Sequence, residues 1–143
     1  TCAMPLLFPS IRINDQKYYD GGVADPIPAQ KALSDGCDRL ILVLTQPRGY
    51  KKRLGRQTRA AARLLGVKYP ALAQTLLERH LVYNRQVEFC ESLEKEGRAL
   101  ILRPAAPLDS FEKDVSVLRQ TYQQGFDLCA GRMDEIRAFI GQD

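Results

Sequence analysis

The chain reads as an α/β protein with few strands and a helical C-terminal half. Three observations point there. Strand, helix and strand signals alternate over the first 45 residues. Leu40 to Leu44 is an unbroken apolar run that includes Ile41 and Val43, the pattern of a strand buried on both faces of a parallel sheet. A second short strand, Arg98-Ala99-Leu100-Ile101-Leu102-Arg103, follows a long helical stretch.

The elements follow in order. Thr1 to Ser10 is an apolar approach interrupted by Pro5 and Pro9, which excludes a helix. Ile11-Arg12-Ile13 alternates as a strand, Asn14-Asp15-Gln16 has turn chemistry, and Lys17-Tyr18-Tyr19 returns, making a hairpin. Asp20-Gly21-Gly22 ends it, since glycines permit positive φ and close backbone approach. Ile27 precedes a proline, so the next helix starts at Pro28 and stops at Gly36. Residues 50–97 read as helical throughout, with Gly66 ending one segment and Pro70 opening another. Lys52, Arg56, Arg59 and Arg63 then fall on one helix face. Leu72, Leu76, Leu77, Leu81, Val87, Cys90 and Leu93 form an apolar stripe. Asp109 and Glu112 predict a capping box. Phe111 to Ile140 then repeats apolar residues every 3.6 positions as one amphipathic helix, with Gly125 and Gly131 its weak points. The stretches 1–45, 46–97 and 98–143 are expected to form one compact domain.

Composition narrows the class. At 143 residues, 45% hydrophobic and 27% charged, the chain suits a soluble globular domain. No apolar run approaches the ~20 residues of a membrane span. Cys2, Cys37, Cys90 and Cys129 are widely spaced, which excludes a zinc ribbon or a redox C-x-x-C and suggests free, buried thiols in a reducing compartment. The formal charge is +4, unevenly spread. Arg39 to Leu77 carries nine Lys and Arg and no acid, so one electropositive surface is expected. Tyr50 is the sole aromatic in 48–68, against a platform for single-stranded nucleic acid.

The run Lys17-Tyr18-Tyr19-Asp20-Gly21-Gly22-Val23-Ala24-Asp25-Pro26-Ile27-Pro28 places a carboxylate at a strand-to-loop junction, a rigid seat for a catalytic acid or base. An Asp before Gly-Gly is also a common turn former. This run resembles the Asp-Gly-Gly box of the patatin-like phospholipases. Cys2-Ala3-Met4-Pro5-Leu6-Leu7-Phe8-Pro9 is similar to the apolar run upstream of that box, and Gly36-Cys37-Asp38 with Arg39 to Leu44 continues the likeness. The resemblance is close over residues 1–45 and loose beyond them. It implies the C-terminal part of a three-layer α/β/α fold and hydrolysis of phospholipid or another acyl ester by a serine–aspartate dyad. Asp20 would be the catalytic acid, with Gly21, Gly22 and Asp25 supporting its loop.

That family's dyad serine sits in a Gly-x-Ser-x-Gly elbow behind a glycine-rich oxyanion loop. Here Ser10, Ser34, Ser92, Ser110 and Ser116 all lack flanking glycines, and the sequence starts at Thr1. The expectation is a C-terminal portion of a longer enzyme, inactive without its N-terminal part. No metal or organic cofactor is implied, the 20–25 segment lacks an EF-hand's ligand spacing, and the location expected is cytoplasmic or peripheral to a membrane. The alternative is a non-catalytic domain that binds an anionic membrane or nucleic acid through Lys52, Arg56, Arg59 and Arg63; no nucleic-acid partner is expected. Asp25 reads as a loop-fixing residue or a sharer of Asp20's proton chemistry, the former favoured. Leu6, Leu7 and Phe8 line an acyl pocket or belong to the core. Tyr18 and Tyr19 read as packing residues, and His80, the only histidine, as structural.

Overall fold

The structure, a computed structural model, describes residues 3–5, 7–109 and 112–141. Cys2, Leu6, Ser110 and Phe111, singled out above, lie outside the described residues. The protein is mixed α/β with more helix than strand, and it divides into two compact units. The first comprises residues 1–31 and 51–89, the second residues 32–50 and 90–143.

In the first unit, β1 (Ile11–Ile13) and β2 (Gln16–Tyr18) form an antiparallel hairpin with Ile11 opposite Tyr18 and Ile13 opposite Gln16. Asn14 and Asp15 make the turn at φ 47° and 61°. A two-residue hairpin turn needs this left-handed backbone, which Asn and Asp tolerate. A single 3₁₀ turn spans Gly21–Val23, and α1 (Ala29–Ser34) begins one residue after Pro28. α2 (Arg56–Gly66) and α3 (Pro70–Lys95) follow. Ala62 and Leu65 of α2 meet Ala73 of α3 in a small core, with Tyr69, Leu72, Leu76 and Leu77 packed against it. The helix expected from residue 50 starts six residues later. Residues 51–55 are outside any helix or strand, and Lys52 gives its backbone N–H and C=O to a side chain instead of to a helix.

In the second unit, β3 (Leu40–Val43) pairs in parallel with β4 (Ala99–Leu102), Leu40 opposite Ala99 and Val43 opposite Leu102. All four residues of β4 are buried, and Cys90 and Leu93 near the end of α3 are 0% and 2% exposed. The burial on both faces expected for Leu40–Leu44 belongs to β4. In β3, Ile41 and Val43 are 41% and 73% exposed, so one face is uncovered among the described residues.

The long C-terminal helix divides into α4 (Val115–Gly131) and α5 (Met133–Ile140). Arg132 between them departs from helical geometry, at φ −112° and ψ 15°. Gly125 is accommodated inside α4. The cap is not the expected Asp109–Glu112 box. Asp114 is the N-cap, its carboxylate accepting from the backbone N–H of Ser116 at 2.8 Å and the Ser116 hydroxyl at 2.7 Å. Glu112 turns to the amides of Lys113 and Asp114. No described residue of α4 or α5 is buried, and Val115, Leu118, Tyr122 and Phe126 stand exposed on the apolar stripe. Among the described residues, no helix is long and apolar enough to cross a membrane.

Leu93 is among the largest fully buried side chains. Leu93→Ala is expected to cost about 2–5 kcal/mol, the usual range for a large-to-small change in a tight core. Leu81→Ala, at a residue 52% exposed on the same helix, should cost much less. Urea denaturation of the two variants against the parent chain checks the difference.

Candidate functional site

Asp20 leaves the hairpin half-buried, its backbone N–H donating to the carbonyl of Ala3 at 3.1 Å. Its side chain caps the 3₁₀ turn, Oδ1 accepting from the N–H of Gly22 at 2.7 Å. Among the described residues, Oδ2 accepts no hydrogen bond. The glycine pair serves half of the purpose expected of it: neither residue has positive φ, but Gly22 is needed for close approach. A Cβ there would stand 2.9 Å from Asp20 Oδ1, whereas at Gly21 nothing lies within 4 Å.

The turn is held from α3. Arg79 Nε donates to the Gly22 carbonyl at 2.6 Å. Gln86 reaches two places at once: its Oε1 accepts from the N–H of Ile27 at 3.0 Å, and its Nε2 donates to Asp25 Oδ1 at 2.5 Å. Arg79 and Gln86 are seven residues apart, two helical turns, and so share a face. Asp25 is exposed and works through Gln86, which matches the loop-fixing reading. Sequence reasoning missed Arg79 and Gln86. They resemble any solvated polar residues of a long helix, and only their spacing could have drawn attention.

Other candidates separate. Leu7 and Phe8 are 61% and 54% exposed and are not core. Tyr18 is exposed as well, so its expected packing role fails, while Tyr19 is half-buried. His80 Nδ1 lies 2.9 Å from the carbonyl of Leu77, one turn earlier on its own helix, a structural use. Two cavities, of about 350 and 250 Å³, are lined by residues other than Asp20. No group of three or more His, Cys, Asp or Glu that could hold a metal ion occurs among the described residues. Of the described cysteines, only Cys90 is buried, and burial pushes its thiol pKa up; Cys129 is half-buried and Cys37 exposed.

The basic face loses one member. Lys52 is outside α2, its backbone paired with both ends of the Asn84 amide at 2.8 and 3.0 Å. Its ammonium lies 5.1 Å from the centre of the Tyr83 ring. Burial, followed by the nearby Arg79 charge, lowers its pKa. Arg56, Arg59 and Arg63 remain on α2, at spacings of three and four, and all three are exposed.

Residues 69–141 match the model of a family described as a domain of unknown function (DUF6363). The matched span runs from just before α3 through α5, so it contains Arg79 and Gln86 but not Asp20. Neither a curated protein nor a solved structure matches the chain.

The two glycines give a sharp test of the turn. Gly22→Ala is expected to push the Asp20 carboxylate off the amide it caps and to cost about 1–3 kcal/mol, the range for stranding such a partner. Gly21→Ala should be close to neutral. Thermal unfolding, with hydrogen exchange at the amide of residue 22, checks both.

Proposed function

The chain belongs to the DUF6363 family, and we propose that it is the acid-bearing part of a patatin-like serine acyl hydrolase with a three-layer α/β/α catalytic core. Phospholipid or lysophospholipid is the substrate class. One observation carries the reading: Asp20 stands at the exit of a hairpin with Oδ1 fixed by the Gly22 amide and Oδ2 uncommitted among the described residues. Fixing one oxygen orients the carboxylate, and the other is left to meet a hydroxyl. The pins from Arg79 and Gln86 restrain the loop, as a positioned catalytic group requires.

In the reaction, a serine supplied outside these residues attacks the ester carbonyl while Asp20 orients its hydroxyl and takes up the proton. An ordinary carboxylate is a weak base for an alcohol, so proton transfer accompanies attack instead of preceding it. Backbone amides hold the oxyanion; its collapse breaks the ester C–O bond, and the leaving alcohol takes the proton from Asp20. Water, giving a proton to Asp20, then attacks the acyl-enzyme, and the acid departs as the serine regains its proton. Asp25 takes no part beyond shaping the loop, and no metal or organic cofactor is needed. The enzyme would work in the cytoplasm, at or near a membrane surface.

Labelling with a serine-directed fluorophosphonate tests the assignment. The 143-residue chain alone should stay unlabelled, and the protein carrying its upstream sequence should label. In that longer protein, Asp20→Asn is expected to lower ester hydrolysis by about 10²–10⁴-fold, the usual worth of general-base help, with the fold intact by thermal unfolding. Asp25→Asn should cost far less. A folded Asp20→Asn enzyme with near-normal turnover would remove Asp20 from the mechanism.

A second reading rests on Arg56, Arg59 and Arg63, exposed on one helix that has no acidic residue. Each basic side chain near an anionic bilayer contributes about 1 kcal/mol, screened by salt. Reversing the three charges to Glu should abolish cosedimentation with anionic vesicles at low salt, and Lys52→Gln should leave it unchanged. Equal binding of the parent chain to neutral and anionic vesicles would defeat this reading.

A further inference from the structure

At the carboxyl ends of β3 and β4, within the second unit, a cavity of about 350 Å³ is lined by Arg48, Arg103 and Arg132, together with Glu94 and Pro104. Arg48 follows β3, Arg103 follows β4 directly, and Arg132 sits at the break between α4 and α5. The region beyond the carboxyl ends of parallel strands is where open α/β sheets bind ligands.

The charges are almost completely committed to one another. Arg48 Nη2 contacts Glu94 at 2.5 Å, Arg103 Nη1 contacts Glu91 at 2.9 Å, and Arg132 grips Glu135 through Nε and Nη2 at 2.6 and 2.8 Å. Arg132 Nη1 also donates to the Ile101 carbonyl at 2.8 Å. Arg103 is the exception. Its side chain is only 9% exposed, and its Nε and Nη2 are buried without an acceptor among the described residues, where Gln46 Oε1 is likewise buried without a donor. Buried donors of a charged group are costly to leave unpaired, and a persistent one calls for a missing partner.

We propose that this cavity is a phosphate-binding site, with Arg103 as its principal ligand and Arg48 and Arg132 at its wall. The orphan nitrogens are closed to solvent as they stand, and rotation of the Arg103 guanidinium toward the cavity presents them to an oxyanion. A planar fork of N–H donors matches phosphate or carboxylate. The three glutamates already supply carboxylate oxygens and leave these donors over. A tetrahedral phosphate offers oxygens in three dimensions to arginines arriving from three parts of the unit. With three cations facing three carboxylates, recognition rests on hydrogen bonds rather than net charge. The site is independent of the Asp20 reading, and either stands without the other.

Calorimetric titration of the full chain with inorganic phosphate at fixed ionic strength tests the proposal, with glycerol phosphate, glycerol and acetate as parallel arms. Saturable binding of inorganic phosphate is expected. Glycerol phosphate binding at least as tightly would assign the site to a phosphate carried on a larger molecule, and weaker binding would assign it to the free ion. Arg103→Lys keeps the charge but loses the fork, and it should weaken binding by about tenfold or more, the worth of one charge-assisted hydrogen bond. Arg48→Ala, at a side chain 60% exposed, should fold normally and weaken binding several-fold, so it decides the matter if the Arg103 variant unfolds. Absence of saturable phosphate binding, tighter binding of acetate, or unchanged affinity in a folded variant would overturn the proposal.

Discussion

Three polar side chains of α3 hold backbone atoms that lie far away in sequence, and the first unit depends on them. Arg79 takes the carbonyl of Gly22, Asn84 takes both backbone groups of Lys52, and Gln86 takes the amide of Ile27, across separations of 57, 32 and 59 residues. The buried apolar residues described in this unit are mostly small, Ala3, Ala29, Ala62 and Ala73 beside Val23, Ile27, Leu65 and Val87. Loops over such a core need a partner for their polar backbone, since an unpaired buried amide costs about as much as a lost hydrogen bond. A side chain on a rigid helix supplies that partner at a fixed place. The position of Asp20 therefore rests on a hydrogen-bonded frame together with the burial of Val23 and Ile27 further along its loop.

The second unit balances differently. Its interior is the fully buried β4 with Cys90 and Leu93, and its helical end is tied down by arginines. Arg39 donates to the carbonyl of Phe139 at 2.9 Å and lies 5.8 Å from the centre of that residue's ring. Arg132 interrupts the helix and spends its donors on Ile101 and Glu135. A guanidinium is suited to this because its donors point in several directions from one plane. The cost is that every direction needs an acceptor, and among the described residues Arg103 Nε and Nη2 have none, while Gln46 Oε1 in the same unit lacks a donor.

Much of this was legible in the sequence, and the errors share a cause. The hairpin, the start of α1, the strand pair β3 and β4, and the long helix from Pro70 follow from period and punctuation, which are local. Tyr50 to Gly55 was misread because its residues tolerate a helix. Asn84, more than 30 positions away, holds the backbone of Lys52 in the non-helical form. Apolar period alone predicts one helix through Ile140; Gly131 marks the place where α4 ends, and the bond from the Arg132 side chain to a carbonyl in β4 is not legible in the sequence. At the candidate site, Asp20 and Asp25 stood out because they flank glycine and proline. Arg79 and Gln86 did not, because nothing on a helix surface marks which polar residue has a distant backbone to hold.

The cap made by Asp20 bears on why an acid occupies that position. A 3₁₀ or α-helical turn is capped about as well by Asn or Ser as by Asp, because the bond needs only one acceptor oxygen. The amide of Gly22 uses Oδ1 and nothing more. Turn formation therefore does not account for the second oxygen or for the negative charge. Half-burying a carboxylate is also the less favourable choice where a neutral side chain would serve, since removing charge from water is costly unless it is paired. Arg79, which binds the adjacent carbonyl of Gly22, brings positive charge to the same turn and offsets part of that cost. Among the described residues the second carboxylate oxygen, on a turn braced by two residues of one helix, has no hydrogen-bond partner, which leaves it available for the proton transfer proposed above.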